Sequence, residues 1–151
     1  MMKKLSFVFA GALFVMPVVG VATAIAAEFG TVAEAKGLLE RAVAAVKTDK
    51  AKALAMFTKG EGVFKDRDLY PFCGGPDGNF TAHPKLVGKS LKELKDKAGK
   101  ALGAEMYKVA KEGKISEVGY MWPRPGSEEP VQKVSFVTKV SDQVCAVGYY
   151  K

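Results

Sequence analysis

Apolar residues at Val32, Ala35, Leu39, Ala42 and Val46 recur at alternating steps of three and four, the spacing of one helical stripe. Thr31 followed by Glu34 forms a capping box in front of the stripe, and Ala53 and Phe57 resume it beyond the polar stretch KTDK. The pattern predicts a long amphipathic helix from Thr31, either unbroken or bent near Asp49, that stops at Gly60. After Gly62 the period shortens. LYPFC, the turn GGPDGN and FTAHP follow as strand, turn and strand.

From Lys85 to Lys114 the composition is helical, with Ser90 as a cap before Leu91 and Leu94 and with AEMYKVAKEGK stopping at Gly113. Three strand-like runs, SEVGYMW, VQKVSFVTKV and QVCAVGYY, close the chain. This order predicts an α+β domain: a long N-terminal helix on a five-stranded antiparallel sheet, with short helices between the second and third strands. The sequence holds no internal repeat and no low-complexity segment.

With 151 residues, 48% of them hydrophobic, the chain has room for one compact domain. Its start, MMKKLSFVFAGALFVMPVVGVATAIAAE, joins a basic tip to an apolar run and then to Ala24-Ile25-Ala26, small residues spaced for signal peptidase. The expected division is an export signal over 1–26 and a domain over 27–151, which places the domain in the periplasm or outside the cell. The apolar run is also near the length that spans a bilayer, so an uncleaved anchor is a second reading, against which Pro17 and Gly20 weigh. The formal charge is +7, of which Lys3 and Lys4 contribute two. The remaining lysines are interleaved with Glu and Asp, which fits solvated faces and not a nucleic-acid stripe. Such a surface gathers small anions by a weak, salt-screened attraction.

In order along the chain, DLYPFCGGPDGNFTAHPKLVGKSLKEL, GAEMYKVAKEG and YMWPRPGSEEPVQKVSF resemble the single Cache domain of type 2, an extracytoplasmic sensor module related in shape to PAS domains. The resemblance runs from about Glu28 to Lys151. It implies a PAS-like fold with a small ligand, often a short carboxylate, held between the sheet and the helices and loops of one face. Receptor members of that family carry signalling domains that this sequence does not encode. Output is therefore expected through a partner, a membrane receptor or a kinase, and the N-terminal helix is a candidate homodimer seam.

Strand alternation sends Tyr120 and Trp122 to one face, and Lys133 and Ser135 to one face of the next strand. Paired in register, the four meet, and an amine beside aromatic walls suits a short carboxylate with a small apolar tail. An exposed lysine beside core aromatics fits the spacing as well; the resemblance favours the pocket. Tyr70, Phe72, Met106, Tyr107 and His83 are further candidate walls, with ordinary core packing as the alternative, and His83 could equally order the turn that follows it. GGPDGN lacks the Lys-Ser or Lys-Thr of a phosphate cradle and opens a strand, so it is expected to be a hairpin turn.

One histidine and two distant cysteines give no metal-ligand spacing, and no nucleophile stands with a spaced base. No cofactor, no metal and no catalysis are expected. Cys73 and Cys145 fall on the first and last strands, which are central neighbours in PAS-like sheets. A disulfide is feasible outside the cytoplasm, with two buried thiols as the alternative. Asn79-Phe80-Thr81 fits a glycosylation sequon, discounted because the leader looks bacterial. The leading expectation is a non-catalytic sensor for a short organic acid such as acetate, propionate or pyruvate. A structural or dimerisation module of the cell envelope and a small periplasmic enzyme are the competing readings.

Overall fold

A computed structural model describes residues 27–151; the expected export signal over 1–26 lies outside the described residues. Thr31 caps the first helix as the capping box requires. Its hydroxyl accepts from the Glu34 amide, and the Glu34 carboxylate accepts from the Thr31 amide at 2.7 Å. The helix α1, Val32–Thr48, gives way at Asp49, which ends it and at the same time caps α2, Lys50–Lys59, by accepting from the Lys52 amide. Of the two expected forms, the bent one is therefore found. Gly60, at φ 66°, closes α2 in the left-handed conformation that glycine enters without steric cost.

The strands β1 (Pro71–Gly74), β2 (Phe80–Ala82), β3 (Ser116–Pro123), β4 (Pro130–Val140) and β5 (Gln143–Tyr150) form one antiparallel sheet in the order β2-β1-β5-β4-β3. The last strand is thus the central one, and all eight of its residues are buried. One face of the sheet carries Cys73, Val134, Phe136, Cys145, Val147 and Tyr149 against Leu38, Leu39, Ala42 and Phe57 of the two helices. The opposite face carries Phe72, Phe80, Val118, Tyr120, Val137 and Ala146, and is covered by Leu91, Leu102 and Met106.

The cover on that second face departs from expectation. Between β2 and β3 the only described helix is α3, Leu102–Val109, and residues 84–101 form turns. Ser90 does act as a cap, its hydroxyl accepting from the Glu93 amide at 3.1 Å, yet no helix grows from it. The amides of Leu91 and Lys92 both donate to the Gly78 carbonyl, and Asp96 accepts from the amides of Ala98, Lys100 and Met121. Tertiary partners therefore satisfy backbone groups that helical bonds would otherwise take. Gly103 lets α3 close on this segment, because a Cβ there would overlap the Leu91 carbonyl. Tyr107 pins α3 to the end of β1 by donating to the Gly75 carbonyl at 2.7 Å.

Cys73 and Cys145 are register neighbours on β1 and β5, with Cα atoms 4.1 Å apart and their sulfurs bonded. The bond closes a loop of 72 residues, worth about 4 kcal/mol on the chain-entropy account. Thiol titration of the oxidised protein in denaturant should find no free cysteine. Reduction should lower the thermal midpoint by roughly 10 °C, and an unchanged midpoint would show that the bond contributes nothing to the folded state.

Candidate functional site

The hairpin of β3 and β4 pairs Tyr120 with Lys133, Val118 with Ser135 and Trp122 with Val131. On its other side Lys133 pairs with Tyr150 of β5, and Ser135 with Gly148. Alternation then turns Tyr120, Trp122, Lys133, Ser135 and Tyr150 toward the face opposite α1 and α2. The connection between the strands is the segment PRPGSEEP. Pro125 and Gly126, the latter at φ 82°, stand at the centre of a turn closed by the Ser127 amide on the Arg124 carbonyl, the arrangement of a type II turn.

Lys133 is 1% exposed. Its Nζ donates to the Tyr70 hydroxyl at 3.2 Å and to the Tyr150 hydroxyl at 3.3 Å. It also lies 4.5 and 4.6 Å from the centroids of those two rings. The stem reaches Tyr70 across β5 at Gly148, where any Cβ would overlap Lys133 Cε and Ser135 Oγ. No carboxylate hydrogen-bonds the amine among the described residues. Asp68, the acidic group that bears on it, is bonded to the Gly30 amide at 2.7 Å and to Arg124 at 3.1 Å. Burial without an ion partner drives the ammonium from 10.5 down to about 7.

Around the amine the polar groups are paired. Tyr120 and Ser135 share a hydroxyl–hydroxyl bond of 2.8 Å, and Tyr150 donates to the Pro123 carbonyl at 2.8 Å. Burial holds the Tyr70 phenol at about 12 and raises those of Tyr120 and Tyr150 too. His83 accepts the Lys85 amide on Nδ1 at 3.0 Å, which leaves Nε2–H as its donor. Burial, with Lys133 and Lys85 nearby, lowers its pKa to about 4, so the ring is neutral. Tyr70 and Phe80 meet it edge-on, with centroids at 5.5 and 5.0 Å.

Two cavities adjoin the group. The inner one, of about 10 Å³, is lined by Tyr70, Phe72, Phe80, His83, Leu94, Leu102, Tyr120 and Trp122 and has room for roughly one water. The outer one is an open cleft of about 300 Å³ between the end of α2, the segment from His83 to Leu86 and the turn from Trp122 to Ser127. Tyr70, His83 and Trp122 line both and form the wall between them.

Of the residues expected at a site, Tyr70, Phe72, His83, Tyr120 and Trp122 thus converge on one chamber, with Lys133 and Ser135 buried beside it. Met106 does not join them. It is fully buried on the core side of α3 and lines neither cavity, where α3 packs on β3 and β4. Tyr107 serves as the pin described above. Sequence reasoning missed Tyr150, Gly148, Asp68 and Arg124. The alternation of QVCAVGYY would have put Ala146, Gly148 and Tyr150 on the Phe72 face, but only the pairing of β5 between β1 and β4 gives that face its neighbours. Among the described residues no cluster of three or more metal-ligating side chains occurs.

A Cache domain family profile matches residues 40–150. The chain belongs to the Cache domain family. A stretch of 56 residues, 37% of the chain, is 39% identical to the methyl-accepting chemotaxis protein McpP of Pseudomonas putida, of whose length it represents 10%. Among solved structures, a methyl-accepting chemotaxis protein from Vibrio parahaemolyticus superposes with a TM-score of 0.64 at 24% identity, over 78% of this chain and 86% of that one. A periplasmic sensor domain of a chemotaxis protein gives 0.59 at 28%, over 76% and 86%. A Cache chemosensory domain described for carboxylic acid recognition gives 0.58 at 25%, over 76% and 84%. The Cache fold here is therefore that of chemotaxis sensor domains.

The lowered Lys133 pKa makes stability of this Cache domain depend on pH with a definite sign. Between about 7 and 10.5 the unfolded chain keeps a proton that the folded form has released, so stability rises with pH. The His83 shift acts in the same direction between about 4 and 6.5. From pH 7 to 9 the Lys133 contribution should reach roughly 2 kcal/mol, read as a rising urea midpoint. Lys133→Met should flatten that rise and keep the histidine-dependent one below pH 6.5. An unflattened profile would mean the amine is not the titrating group.

Proposed function

We propose that this Cache domain is an extracytoplasmic, non-catalytic sensor of a short organic acid such as acetate, propionate or pyruvate, and that Lys133 receives the carboxylate. The observation that carries this reading is a fully buried amine held by two phenols with no carboxylate of its own. A protonated amine in such a place is costly, and an anionic ligand supplies the charge that the fold withholds. The inner chamber, of about 10 Å³, is smaller than any such acid. Entry therefore moves the wall of Tyr70, His83 and Trp122, and the Tyr70 hydroxyl gives way to a carboxylate oxygen. Tyr120, Trp122, Phe72 and Phe80 enclose the short apolar tail, and the free Nε2–H of His83 is a second donor for the head group. The resemblance to a Cache domain described for carboxylic acid recognition supports the same ligand class.

Sensing needs an output. The chain spans a tenth of the curated chemotaxis receptor that it matches, and among the described residues no helix is long and apolar enough to cross a membrane. The bound state passes, in this reading, to a membrane receptor or kinase partner, with the outer surface of α1 available for pairing with a second copy.

Propionate at a hundredfold excess over its dissociation constant should stabilise the fold by roughly 2.7 kcal/mol and raise the thermal midpoint by several degrees. Lys133→Met keeps most of the apolar stem, so the free variant should fold and lose the shift. An equal response in the variant would remove Lys133 from the site.

Binding an anion raises the pKa of the amine above its free value of about 7, so binding takes up a proton. Calorimetry should accordingly show propionate affinity falling as pH rises above 7, by up to roughly tenfold per unit. A pH-independent affinity would show that the charge on the amine is not used.

A further inference from the structure

The outer cleft has a character of its own. Its walls carry Phe57, Leu86, Trp122, Pro123 and Pro125, and every charged side chain that lines it is basic: Lys59, Lys65, Arg67, Lys85 and Arg124. These cations are not equally engaged. Arg67 is bound by Glu34 at 2.7 Å and by Asp66 at 2.8 Å, and Lys59 reaches Glu61 at 3.8 Å. Lys65 and Lys85 make no ion pair among the described residues. Arg124 is held chiefly by aromatic rings. Its guanidinium lies 4.0 Å from the centroid of the Phe29 ring and 4.7 Å from that of Tyr150, and a single Nη1 bond ties it to Asp68. Of five N–H donors one is spent on that carboxylate, and the planar fork is held in place by aromatic contacts and by the Pro125–Gly126 turn that follows it.

Nothing in the inner chamber accounts for this arrangement. Lys133 lines neither cavity, and the Tyr70, His83 and Trp122 wall stands between the chamber and the cleft. At about 300 Å³ the cleft is at the lower end of the size of small-molecule sites. It is far larger than a two- or three-carbon acid needs. An apolar wall beside a pre-oriented guanidinium and two unpaired ammonium groups matches a molecule with an apolar body and one anionic head.

We propose that the outer cleft is a second binding site, separate from the Lys133 chamber. It takes an aromatic or medium-chain carboxylate whose head meets Arg124 and Lys85 and whose body lies on Trp122, Phe57 and Leu86. Because its floor is the wall of the inner chamber, an occupant here also bears on the residues through which the short acid must enter.

Phenylacetate is the probe, and its uncharged amide, phenylacetamide, is the control. Trp122 is the only tryptophan of the chain and lines both cavities, so its fluorescence reports the cleft once the inner chamber is saturated with propionate, and calorimetry gives stoichiometry. Phenylacetate should bind with one equivalent and quench Trp122, both in the parent saturated with propionate and in Lys133→Met. Phenylacetamide should not bind in the same range. The double variant Lys65→Gln with Lys85→Gln, at exposed positions, should keep the parental thermal midpoint and weaken phenylacetate roughly three- to tenfold. Arg124→Gln should abolish binding; if loss of the Asp68 contact unfolds that variant, the lysine pair decides.

The proposal is overturned by absence of binding at millimolar phenylacetate. It is overturned equally by competition between propionate and phenylacetate for one equivalent, or by an affinity that the lysine pair leaves unchanged. Failure of propionate to bind at all, with phenylacetate still bound by the parent and by Lys133→Met, would reject the inner-site reading and leave the cleft standing.

Discussion

A lysine amine held out of water with no carboxylate beside it constrains this domain more than any other single group. Lys133 is 1% exposed, and its position fixes what its neighbours must be. Gly148 has to lack a side chain for the stem to cross β5, and Tyr70 and Tyr150 have to offer hydroxyls where the stem ends. Replacing the glycine would push on the amine; replacing either tyrosine by phenylalanine would remove a bond that a buried cation needs. With Lys133 itself, the four residues come from β4, β5 and the stretch just before β1, and the requirement of one charge ties them together.

The two faces of the sheet divide the work. On the helix side α1 and α2 pack a continuous apolar layer, and the Cys73–Cys145 bond joins the two strands at its centre. That face is rigid for ordinary reasons of close packing. The other face is covered by turns and the short helix α3, held by discrete polar anchors: the Asp96 carboxylate on three amides, the Gly78 carbonyl on two, and the Tyr107 hydroxyl on Gly75. A cover fastened at points can shift between them, as a chamber with room for one water requires if it is to admit an acid.

Asp68 links this region to the start of the domain. One of its oxygens accepts the Gly30 amide and the other holds Arg124, while Arg67 donates to the carbonyls of Ala27 and Phe29. Leu69 fills the space at Gly30, where a Cβ would overlap it. The residues just before α1 are therefore packed against the segment that carries Tyr70 and leads into β1. Arg124 in turn shares the Tyr150 ring with Lys133. Displacement of the amine and displacement of the N-terminal segment both act on that ring, which makes the two ends of the domain mechanical neighbours.

The sequence by itself determined the elements whose signals are local. Thr31 with Glu34 started α1, Asp49 could bend it and Gly60 could end it, because caps and left-handed glycines act over one turn. The three closing runs showed their strands by alternation, and that alternation already placed Tyr120 with Trp122 and Lys133 with Ser135. Tertiary structure decided the rest. Residues 85–101 have helical composition yet form turns, because the Gly78 carbonyl and the Asp96 side chain hold amides that an isolated segment would have bonded internally. Met106 fell into the core and Tyr150 into the site for a matching reason: which face of a helix or strand meets a cavity depends on its partners. The burial of Lys133 was the least legible feature, since a lysine in an alternating strand is ordinarily solvated. Only β5, inserted between β1 and β4 with a glycine at the crossing, takes it out of water.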